Sequence, residues 1–67
     1  MVLDAEFAEA FGKSLVEFSF ATHSWPTGRD LEVAIRNALA AYQCYDQELL
    51  LIARRSYNKH SGGHEKF

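Results

Sequence analysis

Leu31-Glu32-Val33-Ala34-Ile35-Arg36-Asn37-Ala38-Leu39-Ala40-Ala41-Tyr42-Gln43-Cys44-Tyr45-Asp46-Gln47-Glu48-Leu49-Leu50-Leu51-Ile52 is the stretch on which the fold turns. Within it Leu31, Ile35, Ala38, Tyr42, Tyr45, Leu49 and Ile52 recur at intervals of 4, 3, 4, 3, 4 and 3. That is heptad spacing, which places all seven side chains on one face of a helix. Upstream, Thr27-Gly28-Arg29-Asp30 puts a hydroxyl three residues before a carboxylate, the pattern of a capping box with Asp in place of Glu. Downstream, Arg54, Arg55, Lys59 and His60 gather where cations suit the negative end of a helix dipole, and Gly62-Gly63 follows them. The pattern predicts one continuous helix over about residues 28–59.

Ahead of this helix lies Ala21-Thr22-His23-Ser24-Trp25-Pro26-Thr27, with the only proline of the chain. Proline disfavours helix in the residue before it, so a loop is expected over about residues 22–27. A shorter helix is expected over about residues 4–21. Asp4 is a good N-cap, and Glu6 and Glu9 suit its positive dipole end. Phe7, Phe11, Leu15 and Phe18 form its apolar stripe, broadened by Ala8, Val16 and Phe20. Gly12, in the interior, predicts a close backbone approach by a neighbouring helix.

The expected architecture is therefore all-α, an asymmetric helical hairpin, with one domain over residues 1–60 and a flexible tail over 61–67. At 1.5 Å per residue the first helix is roughly 26 Å long and the second roughly 48 Å. Folded back on the second, the first leaves everything from Gln47 to Lys59 without an intrachain partner. That overhang contains Leu49-Leu50-Leu51-Ile52-Ala53, the most apolar run of the chain. Val33, Ala40, Cys44 and Leu51 add a second apolar stripe beside the heptad seam. Burying one Leu stabilises by roughly 1.5–3 kcal/mol, a large share of the ~5–15 kcal/mol stability of a whole domain. A homodimer is thus expected, a dimeric four-helix arrangement whose interface comprises Ala38, Tyr45, Leu49, Leu50, Leu51 and Ile52.

Size and charge bound the function. The chain has 67 residues, a single cysteine and a net charge of −2, from 7 Lys plus Arg and 9 Asp plus Glu. So short a chain buries only about 60% of its unfolded surface, and one cysteine forms no internal disulfide to compensate. No apolar run approaches the ~18 residues of a bilayer span, and the acidic start Met1-Val2-Leu3-Asp4-Ala5-Glu6 is unlike a secretory signal. A cytoplasmic protein is expected, with no membrane partner.

Candidate chemistry is sparse. His60 and His64 have i, i+4 spacing, but Gly62-Gly63 between them breaks the helix a zinc pair needs. Cys44 has Ala40, Ala41 and Glu48 one turn away and Leu51 two turns on, with no cationic activator, as a buried inert thiol does. Asp46 and Glu48 stand two residues apart and face different directions, so they do not pair with each other or with Glu17 as acid and base. No catalytic, metal-binding or cofactor site is expected. Glu32–Arg36 and Glu9–Lys13 are expected as i, i+4 ion pairs.

Tyr42, Tyr57 and Trp25 carry more information, because rigid amphipathic aromatics dominate protein interfaces. With Arg54 and Arg55 they are the expected contacts to a partner protein. Trp25 has a second reading, as a cap over Phe20 and Leu31 at the end of the bundle. The leading expectation is a small non-enzymatic regulator or adaptor, a homodimer that occludes or bridges a partner protein. By analogy of architecture alone, phage- or plasmid-type inhibitors and bacterial anti-activators have this form. One alternative is a small subunit or co-chaperone of a hetero-complex. Another is a nucleic-acid-binding hairpin dimer using Arg54, Arg55 and Lys59, which the net negative charge disfavours.

Overall fold

A computed structural model of the chain describes residues 3–62. Its described residues are all-helical: α1 spans Ala5–Thr22, α2 Gly28–Ala40 and α3 Gln47–His60. The first helix begins where its cap predicts, with the Asp4 carboxylate accepting a hydrogen bond from the Phe7 N–H at 3.0 Å. It ends at His23, in the left-handed region at φ 56°, and the N–H groups of His23 and Ser24 both close on the Ser19 carbonyl. The loop at Trp25-Pro26 follows as expected.

The single helix expected over 28–59 is two helices. After Ala40 the chain turns through i to i+3 bonds, Tyr42 N–H to the Leu39 carbonyl at 3.0 Å and Gln43 N–H to the Ala40 carbonyl at 2.8 Å. Gln43 takes φ 59°, and Cys44 N–H returns to the Leu39 carbonyl. Asp46 then caps α3, its carboxylate accepting from the Glu48 N–H at 2.9 Å. Two forces favour the break. Tyr42-Gln43-Cys44-Tyr45-Asp46 is mostly made of middling or poor helix formers, and Asp gains more as a cap than inside a helix. Folding α3 back also buries Leu49, Leu50, Ala53 and Tyr57, which a straight helix holds out in solvent.

The capping box at Thr27 is realised in half. Thr27 occupies the N-cap position of α2 in extended conformation, but its hydroxyl makes no cap hydrogen bond. Gly28 takes φ +54°, so the first turn lacks the regular helical geometry that a capping box requires.

The third helix is the central element and packs against both others, more extensively against α1. α1 and α3 cross at Gly12, as the interior glycine predicts. A methyl group there would overlap the Ala53 carbonyl oxygen and lie 2.7 Å from the Ser56 Cβ. At the same crossing the Ser56 hydroxyl donates to the Glu9 carbonyl at 2.7 Å. This close approach sets which face of α1 turns inward. The buried residues are Ala8, Gly12, Val16 and Ser19, one position on from the predicted stripe. Of that stripe, Phe7, Phe11 and Leu15 are half-buried against the core and Phe18 is 63% exposed. Leu31, Ile35 and Leu39 bury the inner face of α2, and Cys44, Leu49, Leu50, Ala53 and Tyr57 complete the core.

The end of α3 is packed: Ser61 is buried, and its N–H returns to the Tyr57 carbonyl at 2.9 Å. The rest of the expected tail, residues 63–67 with His64, lies outside the described residues. Among the described residues, no helix is long and apolar enough to cross a membrane.

Candidate protein-binding surface

The break at residues 41–46 redistributes the residues expected at interfaces. Leu49 and Leu50 are buried within one chain, at 7% and 4% exposure, so covering them needs no second copy. Ala38 and Ile52 are half-buried, while Leu51 and Tyr45 are exposed at 45% and 79%. The overhang inferred from the length mismatch is absent, because α3 lies on α1.

Tyr57, expected to face a partner, is fully buried instead. Its hydroxyl donates to the Pro26 carbonyl at 3.1 Å and so ties α3 to the α1–α2 loop. Trp25 is half-buried beside it, with ring centroids 6.4 Å apart, and meets Phe20 edge-on at 4.7 Å. Trp25 therefore closes one end of the bundle over Phe20, the second of its two expected roles. Phe20 itself stays 60% exposed.

Tyr42 lies on the surface, 48% exposed, with its ring edge-on to Phe7 at 5.6 Å. Phe7 in turn stacks on Phe11 at 6.4 Å. Tyr42, Phe7 and Phe11 thus form a continuous aromatic run from the α2–α3 loop onto α1, and Tyr45 projects from the same loop. The apolar stripe expected on α1 places Phe7 and Phe11 on its inward face, and the structure leaves them at the margin of the core. The signal against this was present: a competing stripe of small residues, Ala8, Gly12 and Ser19 with Val16, one position along the same helix.

The two arginines part company. Arg54 lies 3.6 Å from Glu32 and shares that carboxylate with Arg36, which approaches it at 2.6 Å. The expected Glu32–Arg36 pair thus forms and extends into a link between α2 and α3. The expected Glu9–Lys13 pair does not form. Arg55 is exposed on the outer face of α3 and forms the divide between two shallow hollows. One, of about 300 Å³, is lined by Leu51, Arg54, Arg55 and Asn58. The other, of about 200 Å³, is lined by Glu9, Ile52, Arg55, Ser56 and Lys59. Asn58, which lines the first hollow, has a buried side-chain oxygen with no hydrogen-bond partner among the described residues.

Cys44 is a buried free thiol, 8% exposed. His60 is held by its own helix, with Nδ1 2.9 Å from the Ser56 carbonyl. Among the described residues, no three His, Cys, Asp or Glu side chains are arranged to hold a metal ion. No family model matches this chain, and no curated protein or solved structure matches it either.

Proposed function

We propose that this chain is a small non-enzymatic regulator or adaptor that acts as a homodimer and engages a partner protein through exposed aromatic side chains. The observation that carries the reading is the run Tyr42–Phe7–Phe11, with Tyr45 exposed on the same loop as Tyr42. Tyr42 and Tyr45 are 48% and 79% exposed, yet Tyr42 is held in place by an edge-on contact with Phe7. Rigid aromatics lose little conformational entropy on binding and bury large areas, which is why they form the hot spots of protein interfaces. Isolated exposed apolar side chains are common on any protein, whereas a contiguous, braced set marks a contact surface.

Self-association is the second part of the proposal. Leu51 and Ile52 on α3 remain for a partner copy after Leu49 and Leu50 are taken into the core. A four-helix arrangement built on α1 and α3 of two copies uses them. The nucleic-acid reading loses support because Arg54 is engaged by Glu32, which leaves Arg55 and Lys59 as the exposed cations of α3.

Two measurements test the proposal. Sedimentation velocity at micromolar concentration is expected to show a dimer that Leu51→Asp weakens. Affinity capture from cell lysate is expected to recover a protein that Tyr42→Ala and Tyr45→Ala lose together, with helicity unchanged. A wild-type monomer removes the homodimer, and capture indifferent to both tyrosine substitutions removes the aromatic contact surface.

A further inference from the structure

Along α1, Glu6, Glu9 and Glu17 recur at helical spacing on one exposed edge, interrupted by Lys13. Across a groove from this edge runs the outer face of α3, with Arg55 and Lys59 exposed and Ile52 between the two rims. The groove continues into a larger hollow of about 530 Å³, lined by Ala5, Glu6, Glu9, Ala10, Lys13 and His60. Towards the start of α1 and the end of α3 one rim is therefore anionic, with Glu6 and Glu9, and the other cationic, with Arg55 and Lys59; further along, Lys13 on α1 and Glu48 on α3 interrupt the two stripes. Although Glu9, Arg55 and Lys59 line the same hollow, none of Glu6, Glu9, Glu17, Arg55 and Lys59 forms an ion pair among the described residues.

Two parallel stripes of opposite sign complement themselves under one kind of two-fold rotation. A copy turned about an axis lying along the groove lays its cationic stripe on the anionic stripe of the first, and the converse contact forms at the same time. An axis across the groove would instead oppose like charges. We propose that two copies of this chain associate about a two-fold axis along the α1–α3 groove. The Glu6–Glu9 edge of each then faces the Arg55–Lys59 ridge of the other, with Ile52 in the apolar centre and Leu51 just beyond the ridge. This rests on the homodimer reading above and adds to it the face and the orientation.

A standard interface takes about 800 Å² per partner, which is roughly one-sixth of the 4589 Å² surface of the chain. Charge complementarity of this kind chiefly sets orientation and association rate, while the apolar centre supplies affinity.

The experiment uses two charge variants of the full chain, one that makes the facing patches both basic (Glu6→Lys with Glu9→Lys) and one that makes them both acidic (Arg55→Glu with Lys59→Glu). Circular dichroism confirms the helicity of each. Every reversed charge acts at two symmetry-related contacts, so each variant alone is expected to dimerise at least roughly tenfold more weakly than wild type at low salt. Mixed together, they are expected to form a one-to-one heterodimer at least as tight as the wild-type dimer, weakened by added salt. A wild-type dimer that both variants retain, or a mixture that gains no affinity over its components, overturns the arrangement and leaves the homodimer standing. A wild-type chain that is monomeric throughout overturns both. Loss of helicity in one variant moves the comparison to the single substitutions Glu9→Lys and Arg55→Glu, mixed in the same way.

Discussion

Replacing Gly12 with Ala is the most direct test of how α1 meets α3, because two opposing effects make the sign of the result informative. Inside a helix, Gly→Ala ordinarily stabilises by ~0.8–1 kcal/mol. Here the new methyl group would meet the Ala53 carbonyl oxygen and come within 2.7 Å of the Ser56 Cβ. The first of these obstacles is backbone, which rotamer changes do not relieve. Overpacking of this kind costs about 1–3 kcal/mol. The displacement also threatens the 2.7 Å hydrogen bond from Ser56 to the Glu9 carbonyl, worth a further ~0.5–1.5 kcal/mol. The expected net effect is a destabilisation of about 1–3 kcal/mol, or a melting temperature lower by roughly 5–20 °C for a domain of this size. Urea unfolding followed by far-ultraviolet circular dichroism measures it, with protein concentration held fixed because dimerisation adds to apparent stability. Ala10→Gly, on the exposed side of the same helix, calibrates the propensity term and should cost ~0.5–1 kcal/mol. A Gly12→Ala protein more stable than wild type would show that α3 does not cross α1 at this point, and the three-helix packing would fall with it.

Three further outcomes follow from individual contacts. Tyr57→Phe removes the hydroxyl that donates to the Pro26 carbonyl and should cost ~0.5–1.5 kcal/mol in urea unfolding; no measurable change would place that hydroxyl in water. Asp46→Ala removes the α3 cap and should destabilise by ~0.5–2 kcal/mol, whereas a continuous helix through residue 46 would gain stability from the same change. Cys44 should react with a thiol reagent far more slowly in the native protein than in urea, since it is 8% exposed, and equal rates would exclude its place in the core.

The helical character of the chain and the ends of α1 could be read from the sequence because local chemistry determines them. Asp4 caps where a cap was expected, and Trp25-Pro26 breaks the chain where a proline must. The division of the second helix could not be read from periodicity. A heptad pattern is satisfied equally by one long helix and by two helices in similar phase, because the residues between them, Tyr42 and Tyr45, are apolar enough to continue the count. Asp46 distinguishes the two cases. Within a long helix it is a poor residue on the exposed side, and at a start it is a favoured cap. The choice between them rests on tertiary burial of Leu49, Leu50 and Tyr57, a non-local gain that no local pattern registers.

The same division reverses the inference about surface. Read as an overhang, Leu49-Leu50-Leu51-Ile52-Ala53 demands a second molecule to cover it. Folded onto α1, α3 buries Leu49, Leu50 and Ala53 and presents Leu51 outward, with Ile52 at the margin. What permits this is the absence of a side chain at Gly12, together with the small Ala8 and Ser19 on the same face. Because small residues take the inner face of α1, its large ones are left half or fully outside: Phe7, Phe11 and Phe18. The apolar excess of a short chain is thus moved from α3 to α1 and the α2–α3 loop, and it changes in kind from aliphatic to aromatic. An aliphatic overhang calls for permanent cover, as in an obligate assembly. A braced aromatic run such as Tyr42, Phe7 and Phe11 does not need such permanent cover and fits the proposal of reversible contact. The close crossing at Gly12 therefore links the packing of the core to the composition of the surface. A side chain large enough to separate α1 from α3 should disturb stability and partner binding together, while Tyr42→Ala should disturb binding with a stability cost of no more than the ~0.5–1.5 kcal/mol of its ring contact with Phe7.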